Sequence, residues 1–187
     1  MNNEDYIPAL GKLLFEEEGM HTYAVLDGAA MPNLLGALHT HEPEYECLYR
    51  GELKPDMAEV APYLVALDNN TDFPWWLAAK GWGNHWGIIV QSRADMRTLR
   101  RHFRKFLIVY DSTGKPLYFR WYDPRVLSVF LPTCEAEELS TMFGPVAAYV
   151  LEGKTPETLW RFGNTDGILR AEQISLASAP PTQTSGE

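Results

Sequence analysis

Residues 81–87 read Gly-Trp-Gly-Asn-His-Trp-Gly and run directly into Ile88, Ile89 and Val90. No other stretch of the chain sets so much aromatic surface beside so little backbone bulk. Its glycines permit positive backbone dihedrals or the close approach of another segment. Trp82 and Trp86 bring large apolar area, each with an indole N–H that needs an acceptor once buried. His85 stands between them. A corner of the core, a binding platform and an active-site loop can all be built this way.

The flanking pattern is one of strands interleaved with helices. Residues 8–18 predict a short helix ending before Gly19, and residues 22–26 a strand stopped by the turn pair Asp27-Gly28. Pro32 suits a first helical turn, with Leu34, Leu35 and Leu38 as its apolar face. Short strands are expected at 47–49 and 63–67, and Asp72 is expected to cap a helix carrying Trp75, Trp76 and Leu77 to Gly81. After a strand at 86–91, Ser92 caps a predicted helix over 93–105 with Met96, Leu99 and Phe103 inward. Residues 106–122 predict an antiparallel hairpin about Asp111-Ser112-Thr113-Gly114. Its first strand, 106–110, is apolar enough to be covered on both faces, and Arg120 and Tyr122 should lie opposite Trp121. Asp123-Pro124 is an N-cap and first-turn pair opening a helix to Leu131, and a helix at 135–143 and strands near 146–151 and 158–162 follow. The fold class is therefore α/β (mixed α+β): one domain, a mixed sheet containing an antiparallel hairpin, flanked by helices. A helical lead-in occupies 1–21, the domain 22–165, and a largely disordered tail 166–187.

Length and composition narrow the functional classes. A chain of 187 residues with 45% hydrophobic and 12% aromatic content can bury a sizeable core. Its net charge of −9 disfavours a general nucleic-acid binder. Cys47 and Cys134 are expected to be free thiols of a reducing compartment. The polar, acidic start Met1–Asp5 lacks a basic-then-apolar leader, and no run approaches the roughly 20 apolar residues of a membrane span. A cytoplasmic protein without a membrane partner is expected.

Few constellations carry chemistry. No Gly-x-Gly-x-x-Gly or Walker-type loop is present, so no cofactor is expected. His39 and His41 beside Glu42 and Glu44 lack a second ligand pair, so no metal is assigned. A hydrolase or nuclease would use His85 as base, oriented by Asp27 or Asp123, with water or one of Ser92, Ser112 and Ser128 as nucleophile. None of these serines sits in a Gly-x-Ser-x-Gly elbow. The simpler reading of His85 is an imidazole bonded to backbone where a strand begins. A sugar- or peptide-binding module built on the tryptophan loop is a third possibility. Arg97, Arg100, Arg101, Arg104 and Lys105 recur at helical spacing as one cationic stripe, suited either to the chain's own glutamates or to an acidic partner. Asp123 reads as a cap, and Arg125 in the first turn behind it should serve a nearby carboxylate.

Six blocks, taken in order, resemble a known family. They are Ala24–Ala29, Leu48–Leu53, Ala61–Val65, Gly81–Gly87, Leu99–Phe103 and Phe119–Leu127. Together, over about residues 22–145, they are similar to the bacterial type VI secretion effector-chaperone (adaptor) domain, the Tap/TEC-type family formerly catalogued as a domain of unknown function. The resemblance implies a non-enzymatic protein of the producing cell's cytoplasm. Such a protein holds a toxic effector and assists its loading onto the trimeric VgrG-type spike. An aromatic platform with a charged rim would serve that role. The candidate partner-binding residues are Trp82, His85, Trp86, Tyr49, Arg50, Arg97, Arg100, Arg101, Arg104, Arg120, Tyr122 and Arg125.

Overall fold

The computed structural model describes residues 6–177. The first half comprises α1 (Ile7–Phe15), β1 (His21–Asp27), α2 (Leu34–His41), β2 (Tyr45–Cys47), α3 (Pro55–Val60), β3 (Pro62–Leu67), α4 (Phe73–Gly81) and β4 (Gly87–Ser92). Then come α5 (Met96–Phe103), β5 (Ile108–Tyr110), β6 (Pro116–Tyr118), α6 (Pro124–Phe130) with a 3-10 turn at Leu131–Thr133, and α7 (Ala136–Phe143). The meander β7 (Val146–Glu152), β8 (Thr158–Thr165) and β9 (Ile168–Ser175) closes the fold.

Seven strands form one sheet in the order β2-β3-β1-β4-β7-β8-β9. The expected class, a single mixed α/β domain with flanking helices, is what the chain adopts. The expected mixed sheet is corrected, because every neighbouring pair is antiparallel. The reason is topological. α4 does connect two parallel strands, β3 and β4, but β1 lies between them and pairs antiparallel with both. The β1–α2–β2 and β3–α4–β4 crossovers thus each straddle a strand of opposite direction, as in a split β-α-β unit.

Helices cover both faces. One core layer joins Tyr23, Val25, Leu64, Ile88, Val90 and Tyr149 to Leu99, Leu127 and Leu139 of α5, α6 and α7. The other joins Ala24, Leu26, Val65, Ile89 and Val150 to Leu10, Leu38 and Leu77 of α1, α2 and α4. This explains why Ala24-Val25-Leu26 and Ile88-Ile89-Val90 are apolar without alternation, since both faces of an internal strand are buried. β4 and β7 lie side by side, although α5, the β5–β6 pair, α6 and α7 all intervene in the chain.

Several local expectations change. The hairpin forms as a two-stranded sheet of its own, and its strands stop at Tyr118. β5 is exposed throughout, contrary to a strand covered on both faces. Arg120 and Tyr122 do not share a strand face opposite Trp121, because Trp121 and Tyr122 both turn into the core. Asp95, not Ser92, caps α5 by accepting from the Thr98 N–H at 2.8 Å. Asp72 offers no side-chain cap to α4. Asp123 does cap α6, accepting from the Arg125 N–H at 2.9 Å. No element is expected from the sequence over 55–60, and α3, which forms there, buries no residue. The tail expected from residue 166 is corrected over its first part, where β9 carries the sheet to Ser175. Residues 1–5 of the lead-in and 178–187 of the tail lie outside the described residues.

Candidate functional site

At one end of the sheet, the C-termini of β1 and β7 meet the 81–87 loop that feeds β4. The Asp27 N–H donates to the Trp86 carbonyl at 2.8 Å, joining β1 to the loop. Gly87 is required there, since a Cβ at that position would lie 2.1 Å from the Val25 carbonyl oxygen. His85 takes a positive φ of 57°, which L-residues adopt uncommonly. Glu152 is what holds it. Its buried carboxylate accepts the Gly83 N–H at 2.6 Å and the His85 N–H at 2.8 Å, and it also meets His85 Nδ1. Burial pushes the Glu152 carboxyl above its usual range even though these contacts oppose the shift. The imidazole at the start of the strand therefore bonds a carboxylate, and that carboxylate is neither Asp27 nor Asp123.

Those two aspartates have arginine partners. Asp27, almost fully buried, accepts the Ala29 N–H at 2.9 Å and forms an ion pair with Arg120. Arg125 grips Asp123 with both arms of its guanidinium, Nε to Oδ1 at 3.0 Å and Nη2 to Oδ2 at 2.7 Å. Burial alone would raise the Asp123 carboxyl, but the Arg125 bonds outweigh it and hold it below the ordinary value. Tyr122 is buried beside Asp27 and Tyr49, and burial first, then the neighbouring aspartate, drives its hydroxyl far above the ordinary tyrosine range. Arg120, Tyr122, Arg125 and Tyr49 thus belong to one network with His85 at its margin. His85, Arg125, Ser128 and Glu152 line a shallow depression. Ser128 Oγ donates to the Arg125 carbonyl at 3.4 Å.

Trp82 and Trp86 are half-buried and packed on the α1–α4 side of the sheet. Trp82 Nε1 donates to the Pro156 carbonyl at 3.0 Å. The Trp86 ring lies so close to Gly81 that a Cβ there would come within 2.6 Å of it. Together they close a narrow apolar crevice against Leu10, Leu77 and Ile89. The loop is first a corner of the core.

The arginine stripe divides. Arg104 donates to three carbonyls, those of Cys47 and Tyr49 at 2.8 Å and Leu48 at 2.9 Å. Arg100 pairs with Glu46 at 2.5 Å. These two fasten the 46–49 segment to α5, while Arg97, Arg101 and Lys105 stay exposed, as does Arg50 beyond that segment.

Sequence reading did not single out the surface of the β5–β6 pair. Tyr110 and Tyr118 are 70% and 73% exposed, and Ile108, Val109 and Leu117 are also open to solvent. Registered pairs Ile108–Tyr118 and Val109–Leu117 put apolar side chains on both faces. The available signal was the pair of apolar strands joined by a polar turn. The rest of the chemistry is plain. Among the described residues no group of three or more His, Cys, Asp and Glu side chains could hold a metal ion. His41 instead packs against Trp76, ring centroids 5.0 Å apart. Cys47 and Cys134 are free. Among the described residues no helix is long and apolar enough to cross a membrane.

No curated protein and no solved structure matches the chain. One protein family does, the domain of unknown function DUF4123, over residues 22–141. That span runs from β1 through most of α7 and includes the arginine–aspartate network, the 81–87 loop and the exposed ribbon. This chain belongs to the DUF4123 family.

Proposed function

We propose that this protein is a type VI secretion adaptor. It binds a toxic effector in the cytoplasm of the producing cell and assists its loading onto the VgrG-type spike, without catalysis of its own. Membership in the DUF4123 family supports a chaperone-like role. The observation that carries the reading is the contrast between the two surfaces. Each side chain that a hydrolase would use is already engaged: His85 meets Glu152, Asp27 pairs with Arg120, and Asp123 caps α6 and pairs with Arg125. The ribbon, by contrast, exposes Tyr110, Tyr118 and Ile108, and no element among the described residues covers them. Exposed aromatic and aliphatic side chains beside arginines are the composition of a protein-binding surface.

The test is co-expression of the full chain with the large toxin and the spike protein encoded by neighbouring genes. The expected result is stable co-purification with the toxin and loss of its secretion when the adaptor gene is deleted. An adaptor that captures neither neighbour, with secretion unchanged on its deletion, ends this reading.

A further inference from the structure

The ribbon separates two grooves of opposite charge. On one side Tyr49, Met57, Ile108 and Tyr118 line an apolar groove. Its cations are Arg50, Arg104 and Lys105, and no carboxylate belongs to its lining among the described residues. On the other side Val109, Phe119 and Phe130 line a groove whose charges are Glu135, Glu137 and Glu138. A protein of net charge −9 thus gathers positive charge beside one face of the ribbon.

The basic groove is built before any partner arrives. Arg104 holds the carbonyls of residues 47–49 and so fixes its floor. The Tyr49 and Tyr118 rings pack against each other, centroids 6.3 Å apart, and line the groove together. Ile108 and Tyr118 are direct cross-strand partners, which places both side chains on the groove's face. An isolated two-stranded ribbon with apolar side chains on both faces is marginal in water, so covering this face is favourable.

Resting on the protein-binding reading above, we infer that the basic groove takes an apolar segment of a partner protein that carries Asp or Glu side chains. The tyrosines and Ile108 bury its apolar residues. Arg50 and Lys105 select its charge, since a basic segment of equal hydrophobicity would meet like charges in a lining that holds no carboxylate among the described residues.

The test uses the full chain as bait for displayed random short peptides, counter-selected with Tyr118→Ser and Lys105→Glu chains. Both substitutions are at exposed positions, and thermal melts check that each variant folds. Peptides lost to the counter-selecting chains are expected to combine aromatic or aliphatic residues with Asp or Glu. For one such peptide, Lys105→Glu should weaken binding on the order of tenfold. Replacing the peptide's carboxylates with lysines should restore binding to that variant, a rescue that a misfolded chain cannot give. Selection of basic peptides, or of peptides indifferent to both substitutions, overturns the inference. So does a dimer in light scattering that Tyr118→Ser dissolves, because the occupant is then a second copy. Co-expression with the neighbouring toxin and spike tests the adaptor reading separately, so either idea can fall alone.

Discussion

Glu152→Ala removes one side chain and releases the 81–87 loop from the end of β7. The carboxylate accepts the Gly83 and His85 N–H groups at 2.6 and 2.8 Å and also meets the His85 ring. A hydrogen bond to a charged group contributes about 1.5–3 kcal/mol. Gly83 is exposed, so its N–H regains water and most of its loss is recovered. The His85 N–H is half-buried and loses more. Relief of carboxylate burial offsets part of this. The net destabilisation should be about 2 kcal/mol, a fall in Tm of about 4–8 °C for a domain of this size. Urea and thermal melts followed by circular dichroism measure it. The pH dependence has a definite sign. The folded-state pKa of Glu152 is raised from its ordinary 4.5, so the folded protein binds this proton more readily than the unfolded chain. The stability contributed is full below the unfolded value and is lost as pH rises through the folded one. The wild-type advantage over Glu152→Ala should therefore be largest in acid and shrink on raising the pH, and Glu152→Gln should lack that slope. A loss below about 0.5 kcal/mol, or an advantage that grows with pH, would refute this account of the loop.

Three further outcomes test other parts of the structure. His85→Gly should be more stable than His85→Ala by about 1 kcal/mol in urea melts, because both lose the imidazole but only glycine relieves the positive φ. Gly87→Ala should cost about 3 kcal/mol or more and reduce soluble yield, since its Cβ would overlap the Val25 carbonyl oxygen at the β1–β4 pairing. Asp123→Ala should cost about 1–2 kcal/mol through loss of the α6 cap. The Asp123 pKa is lowered, so its contribution is present above the ordinary aspartate value and lost as pH falls through the folded one. Melts of wild type and variant should converge in acid.

What could be read from sequence follows burial. β1, β3 and β4 were found because continuous apolar runs mark strands covered on both sides. α6 was found because Asp123-Pro124 is a cap whose chemistry is local. α3 and β9 escaped because neither buries an apolar stripe. A turn signal for β9 was nonetheless present, since Asp166-Gly167 takes positive φ at both residues, as a two-residue hairpin turn requires. At the sheet end, Arg125 was expected to serve a carboxylate, and it does serve Asp123. The partner of His85 was hidden, because Glu152 lies 67 residues away and only the β4–β7 pairing brings it near. The arginine stripe was legible as a helical face. Its division into Arg100 and Arg104, tied to residues 46–49, and three exposed cations is a tertiary fact.

The placement of β4 beside β7 has a consequence for how the chain is made and how it changes. β1, β3 and β4 can gather early, and β7 to β9 form a meander of local hairpins. Joining these parts means closing a loop that contains α5, the ribbon, α6 and α7. The entropic cost of such a closure rises by only about 0.6 kcal/mol for each doubling of loop length. Lengthening or exchanging the ribbon should slow folding while leaving the finished sheet nearly as stable. The ribbon's exposed surface can therefore diverge quickly while the strands beneath it stay fixed.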